Sequence, residues 1–245
     1  LGPGAEVLWR GAAVARLVSG DGALAPQVDV LASDLLDPPL RERVRRRLAG
    51  WLESHLRATL LPLFALRDGI PPGLVRGLAF ALVEGLGAVS RRAVAPQVAA
   101  LTPDDRRALA RLGVTVGRLS LFLPALLRPE AARLRTRLFA VRQGRPAESG
   151  PDGAPSVPLD PRQPAAFYLA CGYLPAGPRA VRLDRLERAA SVAARLSRAG
   201  SFLPPRDLAP ILGCPPSEVP AVLTAIGYVE RDGRFERRRP SGVRS

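Results

Sequence analysis

Residues 202–239 read FLPPRDLAPILGCPPSEVPAVLTAIGYVERDGRFERRR. Pro205 opens a short helix in which Leu208, Ile211 and Leu212 fall on one side, and Gly213 ends it. Cys214-Pro215-Pro216 makes a turn, and Ser217 is placed to cap the next helix. Val219, Val222, Leu223 and Ile226 then recur at the spacing of one buried helical face. After Gly227 the pattern becomes strand, turn, strand. Asp232-Gly233 suits a two-residue type I′ turn, whose two central residues both need positive φ. Upstream, Leu183, Leu186, Ala190, Ala193 and Leu196 mark another helix, with Asp184 placed to cap it. Three helices and a hairpin follow the order of a winged helix. The extended segment Arg179-Ala180-Val181-Arg182 is expected to pair with the wing.

Residues 145–164 are rich in Pro, Gly and Ser and read as a linker. Before them the signal is helical. Asp37 is placed to cap a helix that begins with prolines, and Pro62 ends or kinks it. Leu40, Val44, Leu48, Trp51 and Leu52 form its apolar stripe. His55 falls within that stripe and reads as a packed, inert residue. Further helices are expected over 73–86 and 90–101. Thr102-Pro103-Asp104-Asp105 reads as a capping box, and another helix spans about Pro129 to Gln143. Val114-Thr115-Val116 reads as a short strand. Near the start, Glu6–Trp9, Ala13–Val18 and Gln27–Leu31 look like strands bounded by Gly and Asp. The expectation is a mainly α chain: a small β element at 1–36, a helical domain at 37–144, the linker at 145–164 and a winged-helix-like domain at 165–245.

The chain has 245 residues and is 47% hydrophobic, enough for a sizeable core. All 36 basic side chains are Arg, against 22 acidic residues, for a net charge of +14. Codon usage in a GC-rich genome explains Arg in place of Lys, but not the excess of base over acid. The absence of Lys excludes a P-loop, whose ammonium must reach the β/γ-phosphates, and also Schiff-base and Ser-Lys chemistry. Cys171, Cys214 and His55 cannot compose a plausible zinc site, and no G-x-S-x-G elbow is present. No catalytic residue, metal or cofactor is therefore expected. The two cysteines read as reduced core residues. No apolar run reaches membrane-spanning length, and the start LGPGAEVLWRG lacks a signal-peptide layout, so a cytoplasmic protein is expected. With no Met and Leu at position 1, the chain reads as a piece of something longer.

A DNA-reading helix should present basic or amide side chains. Here the outward residues are Ser217, Glu218, Ala221 and Thr224, and Glu218 would repel phosphate. The wing is richer: Arg231, Arg234, Arg237, Arg238 and Arg239 are the candidate phosphate contacts. Arg231 and Arg234 should face each other beside the turn, a repulsive pair unless an anion bridges them. The bland alternative is a solvated basic tail. Arg-rich faces at Arg43, Arg46, Arg47 and at Arg185, Arg188, Arg195 are the other places such a patch could lie. No interleaved aromatics suggest a base-stacking platform.

Three stretches, SLFLPALLRPEAARLRTRLFAV (120–141), AFYLACGYLPAGPRAVRLDRLERAA (166–190) and FLPPRDLAPILGCPPSEVPAVLTAIGY (202–228), carry a resemblance. The chain resembles the C-terminal region of Suv3-like superfamily 2 helicases of the DEAD/DEAH type, the alphaproteobacterial helicase-related proteins. That resemblance implies a non-catalytic accessory region that guides RNA or DNA and braces the ATP-driven core of the same polypeptide. The residues themselves leave two alternatives open. One is a stand-alone winged-helix regulator, which would need a dimer interface and a basic recognition helix. The other is a protein-interaction scaffold whose arginines are codon bias.

Overall fold

The computed structural model describes residues 1–238 except 3, 33–36, 70–72, 147–149 and 152. Arg239 therefore lies outside the described residues. The chain begins with three antiparallel strands, β1 (Glu6–Trp9), β2 (Ala12–Val18) and β3 (Gln27–Val30), with β2 central. They alternate as a half-covered sheet should: Val7, Ala15, Leu17, Val28 and Val30 are buried. Helix α1 (Pro38–Thr59) packs against this sheet. Asp37 caps it by accepting from the Leu40 backbone N–H at 2.8 Å. The chain breaks at Leu60 and resumes as α2 (Leu61–Asp68), with Pro62 in its first turn, where no donor is required.

The stripe of α1 is narrower than its apolar residues suggest. Leu52 and Leu56 are buried, whereas Leu40 and Trp51 are exposed. Trp51 stacks flat on His55, with ring centroids 5.4 Å apart. His55 sits half-buried at the rim rather than in the core.

Next come α3 (Leu74–Glu84), β4 (Ala88–Ser90), α4 (Ala95–Ala99), α5 (Pro103–Arg111), β5 (Thr115–Val116), β6 (Ser120–Phe122), a 3-10 turn at Pro124–Leu127 and α6 (Pro129–Arg142). The capping box forms as its residues dictate: Thr102 and Asp105 each satisfy the other's backbone N–H. The helix expected over 90–101 is largely absent. Gly87 turns the chain at φ +100°, and Ala88–Ser90 pairs instead with β6. Only Ala95–Ala99 remains helical.

The C-terminal part contains β7 (Ser156–Pro158), α7 (Ala165–Cys171), β8 (Tyr173–Ala176), β9 (Arg179–Arg182), α8 (Leu183–Leu196), α9 (Leu208–Leu212), α10 (Val219–Ala225), β10 (Tyr228–Arg231) and β11 (Arg234–Arg237). The order α8, α9, α10, hairpin is that of a winged helix. Asp232 (φ 50°) and Gly233 (φ 75°) give the hairpin the turn their side chains favour. Two capping expectations fail. Asp184 lies inside the first turn of α8 and pairs with Arg182, and a 3-10 turn at Pro216–Glu218 leads into α10 without a Ser217 cap. The wing does not pair with 179–182. It pairs with Phe202, which exchanges backbone hydrogen bonds of 2.9 and 2.7 Å with Phe235. Residues 179–182 lie instead between β7 and β8.

The mainly α expectation is overturned. Helix makes up 48% and strand 19% of the described residues, with four small antiparallel sheets, so the fold is mixed α and β. The missed strands are two to four residues long and lie among Gly and Pro, too short for a period-two signal. One of them, β7, lies inside the segment read as a linker.

One large apolar cluster joins the N-terminal sheet to α1, α2, α3 and α6. A second fills the space between α8, α9, α10 and the C-terminal hairpin, around Leu186, Leu208, Leu212, Val222 and Phe235. Arg135 of α6 lies between elements with only 1% of its surface exposed. It has no carboxylate partner among the described residues. Its guanidinium donates to the backbone carbonyls of Leu86, Leu126 (3.1 Å) and Leu169 (2.9 Å). Burial pulls its pKa down to about 10, which still leaves it charged near neutrality. This buried cation ties α6 to the turn before β4, the 3-10 turn and α7.

Candidate nucleic-acid interface

A β-hairpin sends alternate side chains to opposite faces, and this divides the wing arginines. Arg231 and Arg234 are directly opposite each other, as the turn requires. Among the described residues only Arg231 has a carboxylate partner; Arg234 is held by neutral acceptors. Arg231 pairs with Glu236 at 3.1 Å, and Arg234 donates to the Ser201 hydroxyl (3.0 Å) and carbonyl (2.7 Å). Arg237 is opposite Tyr228 and shares its face with Phe235. Phe235 points into the core. Arg237, two residues further along, passes the end of that core and reaches the joint with the N-terminal part. Arg238 is exposed, with its backbone N–H held by the Gly227 carbonyl at 2.9 Å.

At that joint Arg237 meets two arginines that the sequence did not single out. Arg91, Arg118 and Arg237 line a cleft of about 250 Å³, together with Leu119, Ala190, Ala194, Ile226, Gly227 and Tyr228. No carboxylate lines it. Ala190 and Ala194 of α8 and Gly227 keep the cleft open because they place almost no side-chain volume there. Arg91 donates to the Gly117 carbonyl at 2.7 Å, which orients it without supplying a counter-charge, and it has no carboxylate partner among the described residues. Arg118 and Arg237 are exposed, with no carboxylate partner among the described residues. The structure thus joins Arg237 to Arg91 and Arg118, not to Arg231 and Arg234. Nothing in an Arg-rich sequence marks Arg91 or Arg118.

The wall that carries Arg118 is held by Glu187 of α8. Its carboxylate accepts from the backbone N–H of Arg118 (2.7 Å), Leu119 (2.9 Å) and Ser120 (2.8 Å), and from the Ser120 hydroxyl (2.8 Å). Carboxylates that accept several such bonds make strong charge-assisted contacts. Residue 117 must be Gly, since a Cβ there would overlap this carboxylate. The Glu187 carboxylate is thus engaged by backbone amides and does not line the cleft.

The face of α10 is unsuited to groove reading. It carries no arginine, and the β8–β9 turn approaches it, with Gly177 close to the Ala221 backbone. Glu218 is not a free repulsive charge: Arg179 pairs with it at 3.1 Å, with the arginine side chain only 12% exposed. Of the other Arg-rich faces, Arg46 approaches Glu42 at 3.6 Å, Arg43 and Arg47 are exposed, and Arg188 and Arg195 are exposed on α8 beside a half-buried Arg185.

Burial pushes the Cys171 thiol up to about 11, so it stays protonated and a poor nucleophile. Desolvation lowers the His55 pKa, helped by the nearby Arg137. Among the described residues no group of three His, Cys, Asp or Glu side chains could hold a metal, and no helix is long and apolar enough to cross a membrane. Comparison with protein-family models, with curated proteins and with solved structures finds no match for this chain.

Proposed function

We propose that this chain is a non-catalytic accessory region that binds nucleic acid through its sugar-phosphate backbone and serves an ATP-dependent helicase core. The observation that carries the reading is the meeting of Arg91, Arg118 and Arg237 around a cleft without a lining carboxylate. Three guanidiniums facing one recess repel one another, and a phosphate offers the planar, bidentate partner that guanidinium favours. Backbone binding of this kind is insensitive to sequence and steeply dependent on salt. The helicase connection rests on the resemblance of residues 120–141, 166–190 and 202–228. A chain without Lys has no P-loop, so ATP hydrolysis would belong to the core.

The packing-scaffold reading has its own support in α10, whose outer face bears no base and lies beside the β8–β9 turn. Titration of labelled RNA and DNA oligomers at several salt concentrations separates the two. Binding that weakens steeply with salt and ignores sequence supports the proposal. No binding at low salt favours the scaffold.

A further inference from the structure

The cleft has a shape as well as a charge. Its arginines stand on two walls: Arg91 and Arg118 on the N-terminal side, Arg237 on the last strand of the wing. At about 250 Å³ it has room for roughly eight waters at about 30 Å³ each. That is less than the usual pocket for a drug-sized molecule, about 300 Å³ and upward. It suits one phosphodiester unit better than a whole nucleotide with its base. Tyr228 is the aromatic in the lining, and it is not available for stacking. Its ring is buried and packed edge-on against Phe202, with centroids 5.6 Å apart. No aromatic face in the lining is free for a base to stack on, which favours contact with the backbone.

We infer that this cleft seats one backbone phosphate of an unpaired strand, gripped from both walls, and that Glu187 is the positioning residue that holds the Arg118 wall in place. The inference rests on the nucleic-acid reading above and narrows it to one strand type and one seat. A duplex presents its phosphates at fixed spacing on a stiff, convex surface, so its backbone meets only the rim of the recess. A single strand bends into it at little cost. Glu187 cannot touch the phosphate usefully, being itself negative. Its four hydrogen bonds instead fix the amides of residues 118–120 and therefore the direction from which Arg118 enters.

The test compares a short deoxythymidine oligomer with a duplex of equal length and with inorganic phosphate as competitor, across a range of salt. The double variant Arg118→Gln/Arg237→Gln should bind the oligomer about tenfold more weakly. It should also lose about 0.7 in the salt slope for each arginine removed. Glu187→Gln should weaken binding in the same direction while leaving every cleft arginine in the chain. A thermal melt of that variant separates misplacement from unfolding, and Arg118→Gln alone gives the same answer in a chain whose clamp is intact. The wing variant Arg231→Gln/Arg234→Gln should change single-strand affinity by less than about twofold, because neither side chain lines the cleft: Arg231 pairs with Glu236 and Arg234 is tied to Ser201. Unchanged oligomer binding by Arg118→Gln/Arg237→Gln overturns the seat. If the wing variant is the one that loses affinity, the nucleic-acid reading survives without the cleft. Equal binding of duplex and single strand overturns the strand choice. Inorganic phosphate that competes as well as the oligomer at equal phosphate concentration makes this a small-anion seat and overturns the inference too. No binding of any oligomer by the wild type overturns the functional reading itself.

Discussion

The recess between β3 and the α1–α2 pair measures about 290 Å³ and is lined in part by Arg45, Arg57 and Arg67; the cleft beside the wing measures about 250 Å³ and is lined in part by Arg91, Arg118 and Arg237. Size and arginine content are nearly the same. In the first recess every guanidinium has a nearby carboxylate: Arg45 with Glu42 at 2.7 Å, Arg57 with Glu53 at 3.3 Å, Arg67 with Asp68 at 2.7 Å. Arg57 and Arg67 also flank the ring of Phe64, each 4.8 Å from its centroid. No carboxylate lines the second cleft, and Glu187, which holds its Arg118 wall, is engaged by backbone amides. In a chain whose basic residues are all Arg, counting them locates nothing. What distinguishes a binding face is whether the local acids are already committed to something else.

Arg135 is the extreme case of a committed arginine, and it should give the largest effect. Arg135→Met keeps the length but strips two buried carbonyls and one part-buried carbonyl of their donor. Each buried carbonyl left without a donor costs about 1–3 kcal/mol, so a loss on the order of 3 kcal/mol is expected. Chemical denaturation should show that loss. A change below about 1 kcal/mol would mean the carbonyls find other donors. Glu187→Ala should come next, with a loss of about 2 kcal/mol from four charge-assisted bonds. It should also weaken oligomer binding, although it makes the chain more positive. Stronger binding in that variant would show that net charge outweighs placement.

The winged-helix order was legible because Val219, Val222, Leu223 and Ile226 mark a helical face and Asp232-Gly233 marks its turn, both local signals. The Asp37 cap, the Thr102–Asp105 box and the Pro62 break were legible for the same reason. The short strands were not, since three residues such as Ser156–Pro158 take their identity from a partner far along the chain. The cleft was invisible in a stronger sense. Arg91, Arg118 and Arg237 come from three distant segments, and Glu187 meets residues 118–120 across nearly seventy positions. Five wing arginines looked like one patch only because they are neighbours in sequence. The pleat puts Arg231 and Arg234 on one face of the hairpin and Arg237 on the other.

Smaller effects refine the same contrast. His55 has a lowered pKa through burial, so its native form favours the neutral ring. The unfolded chain then binds more protons, and the stability His55 contributes is present above about pH 6.5 and fades as pH falls below it. His55→Gln should remove that part of the acid sensitivity between about pH 7 and pH 5, read as a flatter melting temperature. An identical pH profile in wild type and variant would show that His55 is not the group responsible. The variant Arg118→Gln/Arg237→Gln should melt within about 0.5 kcal/mol of wild type, because both side chains are exposed and have no carboxylate partner among the described residues.

The most direct test sets two variants of equal charge change side by side. Arg118→Gln/Arg237→Gln and Arg45→Gln/Arg57→Gln each remove two positive charges, one pair from the cleft and one from the paired recess. A deoxythymidine oligomer is titrated against both, and against wild type, over a range of salt. The account predicts that the cleft variant alone loses about tenfold in affinity and about 1.4 in salt slope, about 0.7 per arginine. Equal losses in the two variants would contradict it, because net charge and not the uncommitted cleft would then govern binding.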